Sequence, residues 1–276
     1  MKWLFVLLLA VGIFGGAAFF SYDLFVKPEQ TLRAEKSAEI SATPGPDLSF
    51  ADFQTAAKLR QDGKLGEARD ALALFLQKFP AGQHSEEARD LLGEVNLQIL
   101  LSDYPSPEKQ QYIVKKGDVI ARVAHKMGTT PELIMRMNSL QSTMLRIGEK
   151  LMISHPDFGL FIQRKAQTVV LLNHGQFTKR YRILKVKLSP AKQPARVTTK
   201  VAEIMAWRNN KRVGLGTREY RESTRWIRFA APGYLLFAEP ATNDVAPPPL
   251  GLGMAASDLE ELSSLVNGKT AVTIID

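Results

Sequence analysis

The chain has 276 residues, 45% of them hydrophobic, long enough for two or three small domains that each bury a core. It contains no cysteine, which excludes disulfides, thiolate metal sites and a cysteine nucleophile. The formal net charge of +8 is concentrated between Leu160 and Pro232, where 17 Lys or Arg face three Glu and no Asp. Such a surplus either draws an anionic polymer, lipid headgroup or nucleic acid, or is a solvated basic face.

The first element is an apolar run, "WLFVLLLAVGIFGGAAFF", from Trp3 to Phe20. Eighteen residues at about 1.5 Å rise give roughly 27 Å, near the thickness of a bilayer core. With Lys2 before it, the run predicts a membrane helix over 1–22 whose amino end stays cytoplasmic. A cleaved signal peptide is the rival, with "GAA" at Gly16–Ala18 as its cleavage site. Both readings place the bulk of the chain outside the inner membrane, in the periplasm or cell-wall space, and both speak against nucleic acid as a partner. Residues 23–48, ending in "SATPGPD", have linker composition without apolar periodicity.

Residues 49–104 turn helical. Phe53, Ala56, Ala57 and Leu59 repeat at helical spacing, as do Leu65, Ala68, Leu72, Phe75 and Leu76. Gly63 breaks the first helix, Pro80 ends the second, and a third is expected to begin at Ser85 with that serine as its cap. The pattern "G-K-L-x-E-A-R-x-A-L-x-x-F-L-x-K-F-P" resembles a tetratricopeptide repeat, present here about one and a half times where about three are needed for a stable array. The segment is therefore either a site for a protein partner or a helical spacer or dimerisation element.

After the linker "YPSPEK" comes a unit over 110–155. Tyr112–Val114 reads as a strand and Gly117-Asp118 as a turn. Ile120, Val123, Ala124 and Met127 form a helix stripe, Thr130 and Pro131 open a second helix, and Lys150–Ile153 returns as a strand. The shared residues "Y-x-V-x-x-G-D", "I-x-x-V-A-x-K-M-G", "T-x-x-x-L-I-x-x-N-x-L" and "R-I-G-x-K-L-x-I" make the segment resemble a LysM domain along its whole length. The resemblance implies binding of N-acetylglucosamine-containing glycan, in peptidoglycan strands or chitin. It places the groove between Gly117, Asp118, Val119 and Ile120 on one side and Asn138, Ser139 and Leu140 on the other. Val119 stands where the family commonly has threonine. Asp118 and Asn138 have a second reading as turn and capping residues.

From 156 to 276 the period changes to two. "FGLFIQRKAQTVVLLNHGQFTKRYRIL" alternates around a hairpin turn at Asn173-His174-Gly175. "KVAEIMAW", "TRWIRFAAPGYLLFAEP" and "TAVTIID" are further strands, and a helix over Ser257–Val266 starts at its serine. A mostly antiparallel β domain with one helix is expected. The opening hairpin, "STRWIRFAAPGYLLF" and "MAASDLEELSSLVNGKTAVTIID" resemble an L,D-transpeptidase catalytic domain. Taken together the fold class is multidomain α+β: membrane helix, helical hairpin, βααβ module and β domain.

The transpeptidase resemblance implies a loop "S-H-G-C-x-R" before the last helix, with Cys as nucleophile, His as base and Arg holding the site. Aligned through Met254, His falls on Pro249, Cys on Gly251 and Arg on Gly253, and the earlier "I-H-G-T" puts Phe237 at a histidine position. Nucleophilic catalysis needs a nucleophile and a base in contact, and these residue types supply neither. The four histidines lack metal-ligand spacing and "GLGTREY" is no dinucleotide loop, so no metal or cofactor is expected. Two functions follow. One is a membrane-tethered, non-catalytic wall-binding protein, a pseudoenzyme whose apolar "PPPLGLG" loop partly closes the old cleft. The other is an active wall enzyme with an unrecognised catalytic group.

Overall fold

The structure, a computed structural model, describes residues 48–276 apart from 190–193, 232–233, 242–243, 247 and 249. The expected membrane helix, the linker up to residue 47 and Pro249 lie outside the described residues. Among the described residues no helix is long and apolar enough to cross a membrane.

Helices α1 (Leu48–Gln61), α2 (Leu65–Lys78) and α3 (Ser85–Leu101) form where the apolar repeat predicts them. Gly63 turns the chain between the first two at φ +74, a conformation that costs glycine nothing. Phe53, Ala56, Ala68, Leu72, Phe75 and Val95 lead their common core. Ser85 is the first helical residue rather than the cap. Its hydroxyl donates to the carbonyls of Phe79 (2.6 Å) and Gly82 (2.8 Å), fastening the preceding turn.

The next unit has the expected β-α-α-β order: β1 (Lys109–Ile113), α4 (Ile120–Lys126), α5 (Pro131–Met137) and β2 (Lys150–Ser154). The strands pair antiparallel with Tyr112 opposite Leu151. Thr130 Oγ1 accepts from the Leu133 N–H at 3.0 Å, capping α5 as read from the sequence. Val114, Ile120, Val123, Ala124, Ile134, Leu151 and Ile153 fill a small core between helices and hairpin.

Among the described residues nine strands build the C-terminal region: β3 (Phe158–Gln163), β4 (Thr168–Asn173), β5 (Gln176–Lys187), β6 (Arg196–Arg208), β7 (Lys211–Arg212), β8 (Thr224–Phe229), β9 (Leu235–Ala238), β10 (Gly251–Met254) and β11 (Ala271–Ile275). The one-turn α6 (Arg218–Arg221) precedes β8, and α7 (Ala256–Leu265) precedes β11. The spatial order is β11-β3-β4-β5-β10-β9-β8-β6-β7, and β11 also pairs with β6, so the sheet closes into a barrel-like ring. Two long strands make closure possible. β5 pairs with β4 up to Arg182 and with β10 from Ile183; β6 pairs with β11 up to Lys200 and with β8 from Val201. Register shifts in three of these pairings bend the strands round the ring. His174 (φ 48) and Gly175 (φ 76) form the two-residue hairpin turn between Asn173 and Gln176. Most pairings are antiparallel as expected, but β3–β11 and β9–β10 run parallel.

Two sequence expectations are corrected here. The second half of "PPPLGLG" is not a loop: Gly251–Met254 is a buried strand between β5 and β9. The alternation misled because two of its four residues are glycine, which gives no side-chain period. Helix α7 starts at Ala256 with Ala255 at the cap position and no side-chain cap, so Ser257 lies in the first turn.

The three segments pack on one another. Along α3, Gly93 meets Lys179 of β5 so closely that an added Cβ would lie 2.9 Å from Lys179 Cγ. The Asn96 amide donates to the carbonyls of Phe177 (3.3 Å) and Thr178 (2.9 Å). Leu97 from α3 and Leu133 and Met137 from α5 sit in the barrel's own core cluster, among Leu160, Ile227 and Leu262. Acids from outside residues 160–232 answer much of the basic surplus. Arg180 bonds Glu86 and Asp90, Lys179 bonds Glu261 at 2.7 Å, and Lys185 bonds Glu239 at 3.2 Å.

Candidate functional site

Two loops of the βααβ unit, 114–119 and 138–149, stand side by side because β1 and β2 are paired. Val114 N–H donates to the Glu149 carbonyl and Gly148 N–H to the Val114 carbonyl. Gly117 turns the first loop at φ +86, where a side chain would be strained. Asp118 Oδ2 accepts from the Tyr112 hydroxyl (2.7 Å) and from Lys115 N–H (2.8 Å). The Lys115 N–H and then the Tyr112 hydroxyl hold the Asp118 carboxyl below its ordinary pKa, and the same bond raises that of Tyr112.

The seven expected glycan residues divide by environment. Gly117, Val119 and Ser139 are exposed. Ile120 is buried at 3%, so its expected place in the groove is revised: the side chain packs inward. Leu140 packs partly against the same core. The Asn138 side chain is fully engaged at the end of α5, donating to the carbonyls of Ile134 (2.8 Å) and Met152 (2.7 Å) and accepting from Met152 N–H (2.7 Å). It staples helix to strand. The sequence reading missed the apolar side chains that the two loops leave in water: Ile113, Met144 and Ile147, which with Val119 are each more than half exposed. Alternation along β1 was the available signal for Ile113, since Val114 points inward.

Of the second set of expected positions, Phe237 lies on β9 and Gly251 and Gly253 lie on β10. Gly253 pairs with Phe237 across the parallel ladder. A Cβ on Gly253 would lie 2.9 Å from Glu239 Cβ, 3.1 Å from Lys185 Cβ and 3.3 Å from Phe237 Cε2. A Cβ on Gly251 would lie 2.4 Å from the Leu235 carbonyl oxygen and 3.1 Å from Phe237 Cδ1, with φ at +145. The Phe237 ring thus occupies the volume that two side chains would need. It is fully buried, in a cluster with Met205 and Trp226 that Trp207, Leu235 and Val245 enclose. Lys187 Nζ lies 5.5 Å above its ring. For the second half of the expected loop the reading is corrected: Gly251, Gly253 and Phe237 are solid core, while Pro247 and Pro249 lie outside the described residues. The connection from β9 is pinned by Asp244, which accepts from Thr224 Oγ1 (2.8 Å) and Arg208 Nη1 (3.3 Å). Among the described residues no cluster of His, Asp or Glu could hold a metal ion.

With this geometry in hand, the comparisons with known proteins are specific for one segment. Residues 112–154 match the sequence model of the LysM domain and are a LysM domain. No curated protein sequence matches the chain. Among solved structures it is similar to an L,D-transpeptidase of Enterococcus faecium, at 12% identity over 43% of this chain and 50% of that one, TM-score 0.30. It is also similar to an L,D-transpeptidase from Mycobacterium smegmatis, at 8% identity over 48% and 65%, TM-score 0.31. A third likeness is to an L,D-transpeptidase from Stackebrandtia nassauensis, at 11% identity over 52% and 65%, TM-score 0.32. The chain spans about half the length of the first and less than two thirds of the others.

Proposed function

We propose that the protein is a peptidoglycan-binding cell-wall protein whose LysM domain grips the glycan strand and whose transpeptidase-like barrel transfers no peptide bond. The observation that carries the binding half is the LysM match over 112–154. The exposed Ile113, Val119, Met144 and Ile147 beside a glycine turn support it, because apolar side chains next to open backbone groups suit acetyl methyls and amide groups. Asp118 and Asn138 act in this reading by holding the two loops, through the hydrogen bonds that engage them. The non-catalytic half rests on the residue types at the former catalytic positions. Gly251 and Gly253 carry no nucleophile, Phe237 and Pro249 accept no proton, and the chain has no cysteine.

The apolar run over 1–22 would tether the protein in the inner membrane, with the helical segment 49–104, the LysM domain within 110–155 and the barrel 156–276 in the periplasm or wall space. A partner at the helical segment would use faces of α1 and α2, since α3 is turned to β5. Incubation with donor and acceptor stem peptides tests the barrel: no cross-linked product above background is expected, and a product abolished by one substitution in 156–276 would contradict it. Deleting residues 112–154 is not a clean test of binding, because Leu133 and Met137 belong to the barrel core. Retention on peptidoglycan by variants at Val119 and Met144 tests binding with the fold intact.

A further inference from the structure

We infer that the glycan site does not end at the LysM domain: the barrel supplies a second wall, so an N-acetylated aminosugar strand gripped by the LysM loops runs on into the groove between α5, α6 and α7. The inference rests on the glycan-binding reading above and extends it. The groove holds about 580 Å³, within the roughly 300–1,000 Å³ of small-ligand clefts. Its near wall includes Ser139 and Leu140, two of the residues that the LysM resemblance assigns to sugar. Its far wall belongs to the barrel, with Leu215 and Tyr220 from the segment around α6 and Ser257 and Glu260 from α7.

The walls are locked together. The Tyr220 hydroxyl donates to Glu132 at 2.5 Å, Arg136 Nη1 donates to Ser264 Oγ at 2.8 Å, and Thr130 Oγ1 donates to the Ser264 carbonyl at 2.5 Å. Gly216, at φ +95, comes so near the LysM loop that a Cβ there would lie 2.9 Å from Thr143 Oγ1. The cleft is therefore pre-organised, and a ligand entering it spends little on ordering the protein.

The lining selects the ligand class. Arg136, Arg221 and Arg225 face Glu132, Glu260 and Glu261, so formal charge is balanced and no net field draws a polyanion. Carboxylates, guanidinium groups and serine hydroxyls offer both donors and acceptors, as sugar hydroxyls and acetamides require. Met135, Leu140 and Leu215 give the apolar contact that acetyl methyls need.

The test titrates the compact unit Ser49–Asp276 with chitin trisaccharide and octasaccharide, both uncharged and free of peptide. The wild type is expected to bind the longer ligand more tightly. Ser257→Trp, which obstructs the groove from an exposed position, should lose about tenfold for the octasaccharide and leave the trisaccharide unchanged. Glu260→Ala with Leu215→Ala should behave the same way and guards against misfolding of the first variant. Multiple registers on a repeating ligand raise wild type and variants alike, so the variants isolate the groove. Equal octasaccharide affinity for wild type and both variants, with trisaccharide binding intact, overturns the extended groove alone. Absence of all binding overturns the LysM reading with it. Binding only of fragments that carry a stem peptide assigns the groove to peptide and overturns it too.

Discussion

The ring of Phe237 lies against the bare Cα of Gly251: a Cβ on that glycine would come within 3.1 Å of Phe237 Cδ1 and 2.4 Å of the Leu235 carbonyl oxygen. Gly251→Cys therefore cannot simply place a nucleophile there. The substitution has to relieve both the overlap and a backbone at φ +145, and a loss of about 3 kcal/mol or more is expected. Urea denaturation reads the stability, and a stem-peptide assay should remain blank. A stable Gly251→Cys protein that forms cross-links would show that the position can frame an active site.

Phe237→Ala opens a cavity among Met205, Trp226 and Leu235, where no part of the ring now reaches water. A loss of about 3–5 kcal/mol is expected from transfer and cavity terms, again by urea denaturation. Near-neutral behaviour would mean that the two glycines collapse into the space.

Asn138 and Val119 should separate stability from binding. Asn138→Ala removes the two hydrogen bonds that join the end of α5 to Met152 of β2 and a third back to Ile134 within α5, leaving the Met152 backbone groups without these partners, at about 2 kcal/mol or more. Glycan affinity of the molecules that remain folded should stay near wild type. Val119→Asp should do the reverse, since the side chain is exposed and outside the core. Thermal melting paired with a chitin-oligosaccharide titration reads both.

Glu203 is held by Arg228 (3.1 Å) and Arg212 (2.5 Å), and the Arg228 hydrogen bond, the largest cause, lowers its pKa below the ordinary 4.5. A depressed carboxylate adds stability that is present above the unfolded-state value and lost as pH falls through the folded one. Glu203→Gln should therefore cost about 0.5–1 kcal/mol at neutral pH, and the difference should vanish in acid, below the usual carboxylate range. A difference that persists there would point to packing rather than charge.

What the sequence displayed and what it hid have physical causes. The three helices and the βααβ module were legible because apolar period, Gly63, Thr130 and Pro131 agree on each boundary. The β4–β5 hairpin was legible from Asn173-His174-Gly175. Strand β10 was not, since Gly251 and Gly253 show no alternation and its two partners lie far away in sequence. At the candidate site the loops were found from their turn residues, but burial sorted the side chains differently. Ile120 goes to the core, Asn138 to the staple, and the exposed Met144 and Ile147 come from a stretch with no regular pattern. The docking of LysM on the barrel through Thr130, Glu132 and Arg136 joins residues more than 80 positions apart, which no local reading detects.

The most direct measurement is co-sedimentation of the compact unit Ser49–Asp276 with purified, protein-free peptidoglycan, comparing wild type with Val119→Asp/Met144→Asp. Both side chains are exposed and outside the buried core, so the variant should melt at the wild-type temperature. Wild type is expected to pellet with the wall and the folded variant to stay in the supernatant. A folded variant that pellets as fully as wild type would contradict glycan binding through the LysM loops.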